Sequence, residues 1–587
     1  MVACTNDDVL ENNELGNKEA MDAFVSVKLV MSDGVYSRAT TDGGYEAGTD
    51  YESTINETNS IFLFYDVNGN WVTSGKLVTQ TPANPEVKGD HEQANSYNGD
   101  MYIALSGPEG ELAKSAQVLT VINYSDCESL KQLTLTQALE TITNTTDDAI
   151  TATGDFLMTT STYFETTAGT ENDVNSDRLS NTTKITSDNI CATQDAAKKA
   201  PVKIYVERAS AKVEVEFESD PYDVTGSEDQ VESDEANGAQ GGDLVVDGNL
   251  QAVKITVTGV KLNNVNEDTY LTKRLLADWA TTAPFASWNI PGNYRSYWAE
   301  GTKYSTTVWG DATNGSVLTS YSYSEATIAS ETPMYCYEQT VANPNVVADR
   351  SAAVQFPNVP TILVAAKISD VKDNEGNAYT GHLFQYGGIF YTEDNYINLI
   401  LKQLKDNGYE KEGATDGSYT SIVKDDLTID SDGTLSGIKI TASKDATYVK
   451  NVRSVSDESG VATYTATPSS VDEINAFLNG GTFKVDETET TFNGLDYVKD
   501  AIGYANGKCY YQIPIEHISS SAAAPCYGVV RNHLYRLTIS GVKHIGEAVF
   551  DPTVKIPQIP EKSTEYYMAA ELHVLSWHVV EQYVTLE

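Results

Sequence analysis

The chain has 587 residues, 84 Asp and Glu against 39 Lys and Arg, and a formal net charge of −45. Nucleic acid is bound largely through Lys and Arg that displace counterions from phosphate, so this balance excludes a nucleic-acid partner. The length exceeds what one hydrophobic core serves and predicts two domains, while 35 Tyr against 14 Phe favours half-wet pleated surfaces over helices.

The chain opens with "MVACTNDDVLENN". Val2-Ala3-Cys4 before a polar run is how a bacterial lipoprotein looks once its hydrophobic leader is replaced by a start Met. Cys4 is therefore the expected lipidation site and residues 1–22 its tether. Next, "DAFVSVKLVM" (22–31) alternates, with Val25, Val27, Leu29 and Met31 on one strand face. It leads into "VMSDGVYSRATTDGG" (30–44), a polar stretch containing Arg38, the sole arginine in the first 177 residues. A good strand followed by an isolated, cuttable Arg38-Ala39 bond makes residues 23–38 a removable segment.

The first domain is expected over 39–198. "SIFLFYDVNGNWVTSGKLV" (60–78) reads as two strands around an Asn-Gly turn, "AQVLTVINYSD" (116–126) as another, and "ESLKQLTLTQALETI" (128–142) as a helix. A Thr-, Asn- and Ser-rich trough at 164–200 marks the boundary. The second domain, 199–555, opens with "PVKIYVERASAKVEVEFES" (201–219) and carries a polar acidic loop at 223–243. Strands follow at 250–264, 360–388 and 534–546, and helices at 394–408 and 471–481. Many short strands and few helices imply an all-β protein of two β-sandwich domains with a few inserted helices.

Residues 556–587 form a Pro-punctuated linker and a last apolar strand, "YYMAAELHVLSWHVVEQYVTLE", with Leu572 and Val574 on one face. A detached apolar strand aggregates unless something receives it. The six cysteines show no metal-ligand spacing, and they suit buried small residues better than a disulfide framework; a Cys509–Cys526 bridge between strands stays open. "DVNGN" (66–70) and "DNEGN" (373–377) share spacing with half a calcium loop but lack the following Glu, and read as hairpin turns. No GxSxG, HExxH or phosphate loop is present. No catalytic residue, cofactor or metal site is expected.

"YGVVRNHLYRLTISGVKHIGE" (527–547) resembles the signature of the Bacteroidales fimbrillins, the type V pilins, most of all the major-subunit branch of the short (minor) fimbriae. "VERASAKV" (206–213) is similar to the strand that opens that family's second domain, and "QYGGIFYTE" (385–393) fits a further Gly-aromatic strand. The tail resembles its C-terminal segment, with Ser576 where Pro is usual. "MVAC" and "SRATTDGG" correspond to the lipidation site and the Arg–Ala bond cut by an Arg-specific protease.

The resemblance implies transthyretin-like sandwiches and a lipidated precursor carried through the periplasm to the outer membrane. It implies cleavage between Arg38 and Ala39 and loss of the 23–31 strand. A donor strand of a neighbouring copy, with Leu572, Val574, Trp577, Val579, Val580 and Val584, then fills the groove. The product is a homopolymeric cell-surface fimbria with accessory tip and anchor pilins, serving adhesion and biofilm formation. The alternative is a cell-surface glycan-binding β-sandwich lipoprotein, which keeps Cys4 and the tyrosines but gives Arg38 and the tail no role.

Overall fold

The computed structural model describes residues 23–31, 52, 54–79, 84–87, 94–98, 101–144, 156–161, 163–164, 179–224, 243–274, 299–302, 318–319, 321–326, 333–340, 360–415, 417–455, 462–485, 488–517, 526–556 and 578–586. The alternating segments are strands, and the protein is all-β with a few helices.

The first sheet contains Ala23–Met31 (β1), Ile61–Tyr65 (β2), Trp71–Thr79 (β3), Met101–Leu105 (β4), Gln117–Ile122 (β5), Met158–Thr160 (β6) and Val202–Arg208 (β7). Its order is β7-β6-β5-β2-β3-β4-β1, and β1 also pairs with β7, so the hydrogen-bonded path closes. Phe62, Phe64, Ile103, Leu105, Val118 and Ile122 line the enclosed core with Ile204 and Val206. The opposite face of β2 carries Ile61, Leu63 and Tyr65 beneath Leu130 and Ala138. "IFLFY" is continuously apolar because both of its faces are covered.

The expected helix over 128–142 is instead a 3-10 turn at Cys127–Leu130 and a short helix at Leu135–Leu139. Gln132 between them adopts φ 66°, which no helix accommodates, and Thr134 caps the second piece by accepting from the Gln137 N–H.

The second sandwich contains Ser210–Phe217 (β8), Lys254–Asn263 (β9), Thr361–Ser369 (β10), Lys508–Pro514 (β11), His533–Val542 (β12) and His578–Leu586 (β13). One sheet runs Met334–Tyr337, β8, β12, β13; the other runs Tyr222–Asp223, β9, β10, β11, Glu547–Ala548. Val213, Leu537 and Ile539 of the first sheet share a core with Ile255, Val364 and Ile513 of the second.

Sheet membership changes at Ala209. β7 lies in the first sheet and β8 in the second, so "VERASAKV" straddles the junction rather than lying wholly in the second domain. Alternation runs through both strands, and a period of two carries no mark of a change of partner.

A third core, closed by Phe384 and Phe550, lies around the helices Glu393–Asp406 (α1) and Val471–Asn479 (α2), close to their expected positions. The strand before α1 belongs to the hairpin Leu383–Tyr386 and Ile389–Thr392, whose Gly387 and Gly388 adopt φ 60° and 80° as a tight two-residue turn requires. Asp66 and Asp373 organise the two calcium-like segments as turns in the same way. Asp66 Oδ1 accepts from the Asn68 and Asn70 N–H groups, and Asp373 Oδ1 from those of Glu375 and Asn377.

Candidate strand-exchange site

β1 is held on both edges. Residues Ala23–Val27 pair antiparallel with Leu105–Met101 of β4, and Val30 continues that edge opposite Ser96. On the other edge Val27, Leu29 and Met31 pair in parallel with Val202, Ile204 and Val206. Phe24 exchanges both backbone hydrogen bonds with Cys191, at 2.7 and 2.9 Å. Val25 and Val27 are 1% exposed and lie in the enclosed core, while Phe24 packs the opposite face against Tyr102, Ala104 and Ala197.

Of the residues assigned to the removable strand, Val25 and Val27 are therefore in one buried row, and the backbone pairing continues through Leu29 and Met31. β1 is the strand that closes the sheet. Taking it out leaves a slot with an antiparallel wall and a parallel wall, lined by Leu105, Ile103, Val202 and Ile204. Within such a slot a one-residue slip moves apolar side chains to the wrong face, so register is specified.

The tail was expected to lie unpaired in its own chain, but β13 runs parallel to β12 from His533↔His578 to Val542↔Leu586. Val579, Val580 and Val584 of the donor assignment stand opposite Leu534, Tyr535 and Ile539. Leu572, Val574 and Trp577 lie outside the described residues, as do Cys4, Arg38 and Ala39.

The two motifs that carry the family resemblance meet in space. Asn532, at φ 58°, accepts with Oδ1 from Arg208 N (3.3 Å) and Arg208 Nη1 (3.2 Å), and its own N–H donates to Ser210 O (2.8 Å). Arg208 Nε donates to Glu52 O (2.8 Å). The Glu52 carboxylate pairs with Lys212 (3.1 Å) and accepts from the Tyr335 hydroxyl (2.6 Å).

Arg531 pairs with Glu338 (3.0 Å) and donates to the carbonyls of Leu271 (3.2 Å) and Tyr270 (2.9 Å). Glu207 lies 3.6 Å from Lys273 and accepts from Ser161 Oγ. Burial pushes the Glu207 carboxyl up, with Lys273 and Arg531 opposing. The charges at this junction are almost wholly buried, so they persist only because each is paired or hydrogen-bonded.

Tyr535 explains the rest of the signature spacing. Its hydroxyl accepts the Val530 N–H (2.8 Å) from five residues upstream and is hydrogen-bonded to Nδ1 of the buried His517 (2.8 Å).

These junction residues were missed in the sequence. The available signal was the charged pair Glu207-Arg208 inside an apolar strand, where exposure is the ordinary reading. Cys509 is a free, buried thiol, so no Cys509–Cys526 bridge forms. Burial pushes the Cys336 and Cys509 thiols up to about 12, which leaves them unreactive. Among the described residues no group of His, Cys, Asp and Glu is arranged to hold a metal, and no helix is long and apolar enough to cross a membrane.

Residues 503–583 match the family described as major fimbrial subunit protein type IV, fimbrillin, C-terminal. The match spans β11 and β12 and includes the signature block. Solved structures with likeness include a fimbrilin from Porphyromonas gingivalis W83, at 11% identity and TM-score 0.31, covering 96% of this chain and 97% of that one. A fimbrial assembly protein from Parabacteroides distasonis ATCC 8503 gives 12% and 0.24, covering 59% and 83%. The C-terminally truncated tip fimbrial protein of P. gingivalis gives 11% and 0.24, covering 62% and 83%. No curated protein matches the chain. Over residues 503–583 the chain carries the C-terminal region of the fimbrillins.

Proposed function

We propose that the protein is a structural subunit of a cell-surface fimbria, exported as a precursor lipidated at Cys4, cleaved between Arg38 and Ala39, and polymerised by donor-strand exchange. The observation that carries this is the position of β1. It closes a hydrogen-bonded sheet, is paired along both edges, and lies near the N-terminal side of an isolated arginine.

Each buried valine of β1 contributes roughly 1.5–3 kcal/mol, and each ladder hydrogen bond about 1 kcal/mol. An empty slot is therefore unfavourable, and an incoming strand of similar pattern recovers what β1 gave up. Cleavage matters because a tethered β1 competes at about millimolar effective concentration. Insertion of one subunit's tail into the next is a heterologous contact that does not close, so it propagates as a fibre. The first sandwich, which takes in β7 and ends at the sheet junction at Ala209, and the sandwich that follows it then form the body of the subunit, and the donor is drawn from 556–587. Partners are further copies, the Arg-specific protease, and accessory tip and anchor pilins.

The test is limiting Arg-specific proteolysis followed by an unboiled denaturing gel, beside a variant ending at Glu565. A ladder from the full-length chain alone, with a new N-terminus at Ala39, is the expected result. Clean cutting that leaves monomers under assembly conditions overturns it and favours a surface-binding lipoprotein.

A further inference from the structure

β7 is the parallel wall of the slot, and its two halves are held differently. Residues 202–206 pair with β1, whereas 206–208 pair with β6 and then run into the buried junction. Once β1 leaves, residues 202–204 lose the strand described beside them, while Tyr205 O still accepts from the Ser161 N–H. The position of that stretch then depends on how firmly the base of the strand is held.

Its base is fixed from the second sandwich. Asn532 receives two hydrogen bonds from Arg208, one from the backbone and one from the guanidinium, and returns its N–H to Ser210 O. Arg208 in turn reaches the Glu52 carbonyl, in the chain that follows the expected cleavage point. Three segments thus converge at one buried point: the retained chain after cleavage, the end of the slot wall, and the signature block.

We infer that Asn532 and Arg208 form a clamp that keeps β7 in register while the slot is vacant, so that an incoming strand meets a preformed parallel wall. The inference rests on the strand-exchange reading. It makes Asn532 a positioning residue for assembly and gives its pairing with Arg208 a task distinct from folding. The left-handed backbone at Asn532 admits Asn, Asp or Gly, which allows its side chain to be tested apart from its backbone.

The experiment compares wild type, Asn532→Gly and Asn532→Asp in the full chain, cut with Arg-specific protease. The readout is the capture rate of a fluorescent peptide with the sequence of residues 23–31, AFVSVKLVM. Thermal midpoints of uncut protein are measured alongside. The clamp predicts that Asn532→Gly slows capture roughly tenfold, the scale of a lost buried hydrogen bond, and that Asn532→Asp, which keeps the acceptor, restores most of it.

Equal capture rates for wild type and Asn532→Gly, with only the midpoints differing, overturn the clamp and leave an ordinary structural junction. Wild type that neither releases β1 nor captures the peptide overturns strand exchange instead. If Asn532→Gly does not fold uncut, hydrogen exchange on cut wild type decides. Continued protection of the Arg208 amide, whose N–H is held by Asn532 Oδ1, after β1 departs supports the clamp, and its loss while the β6-paired Glu207 amide stays protected overturns it.

Discussion

Single residues at the sheet junction are where substitution is most costly. Arg531 is fully buried beside Glu338, which is 2% exposed. Arg531→Met strands that carboxylate without its cation, and a broken buried pair costs about 3–5 kcal/mol. The double variant Arg531→Met with Glu338→Leu removes both charges and is expected to recover most of the loss, read as urea midpoints. A double variant no more stable than the single would mean the guanidinium's bonds to the Leu271 and Tyr270 carbonyls dominate.

Glu516 gives a pH signature of the opposite kind. Burial pushes its carboxyl from 4.5 up to about 7. The folded state therefore holds this proton more tightly than the unfolded chain, and the benefit is complete below the unfolded value. It is lost as pH rises through about 7, by at most about 3 kcal/mol for such a shift, and partial solvent access reduces that. Glu516→Gln mimics the protonated form, so its stability advantage should widen between pH 5.5 and pH 8. A constant gap across that range would contradict the assignment.

Elements with a covered face and short-range turn chemistry were legible in the sequence. β1 and β2 announced themselves by alternation and by a doubly apolar run, and α1 and α2 by helical periodicity. The Asp66 and Asp373 turns follow from local side-chain bonds. What failed were features decided by distant partners. Gln132 broke a periodic helix, Ala209 switched sheets inside one alternating run, and β13 found a partner in β12. Closure of the first sheet was equally invisible, because β7 reaches β1 across some 170 residues of sequence.

The pairing of β1 with the strand-like residue Cys191 offers a direct handle on this element. Phe24 and Cys191 exchange both backbone hydrogen bonds, and such pairs hold their Cα atoms about 5.5 Å apart, inside the range a disulfide spans. Cys191 is a free thiol of intermediate exposure. Phe24→Cys should therefore cross-link β1 to the body under oxidising conditions. Protein cut at Arg38 would then stay monomeric until reductant is added. Polymer formed with the cross-link intact, verified by mass, would show that β1 need not leave.

At the scale of the molecule, the proposed strand exchange requires two openings: β1 leaves its slot, and β13 leaves β12 if the donor includes residues 579–584. Both are intramolecular. Assembly of fully cut protein should then rise with concentration at first and level off at the rate of the slower opening. The approach itself is between chains of like sign, the whole chain carrying −45. Screening such repulsion speeds encounter, the reverse of attraction between opposite charges. In the dilute regime the rate should therefore increase from 20 to about 300 mM salt, where the Debye length falls to several ångströms, while the plateau rate changes little. A rate that stays proportional to concentration throughout would mean that neither opening limits assembly, so that neither the slot nor the β12–β13 pairing holds its strand back in solution.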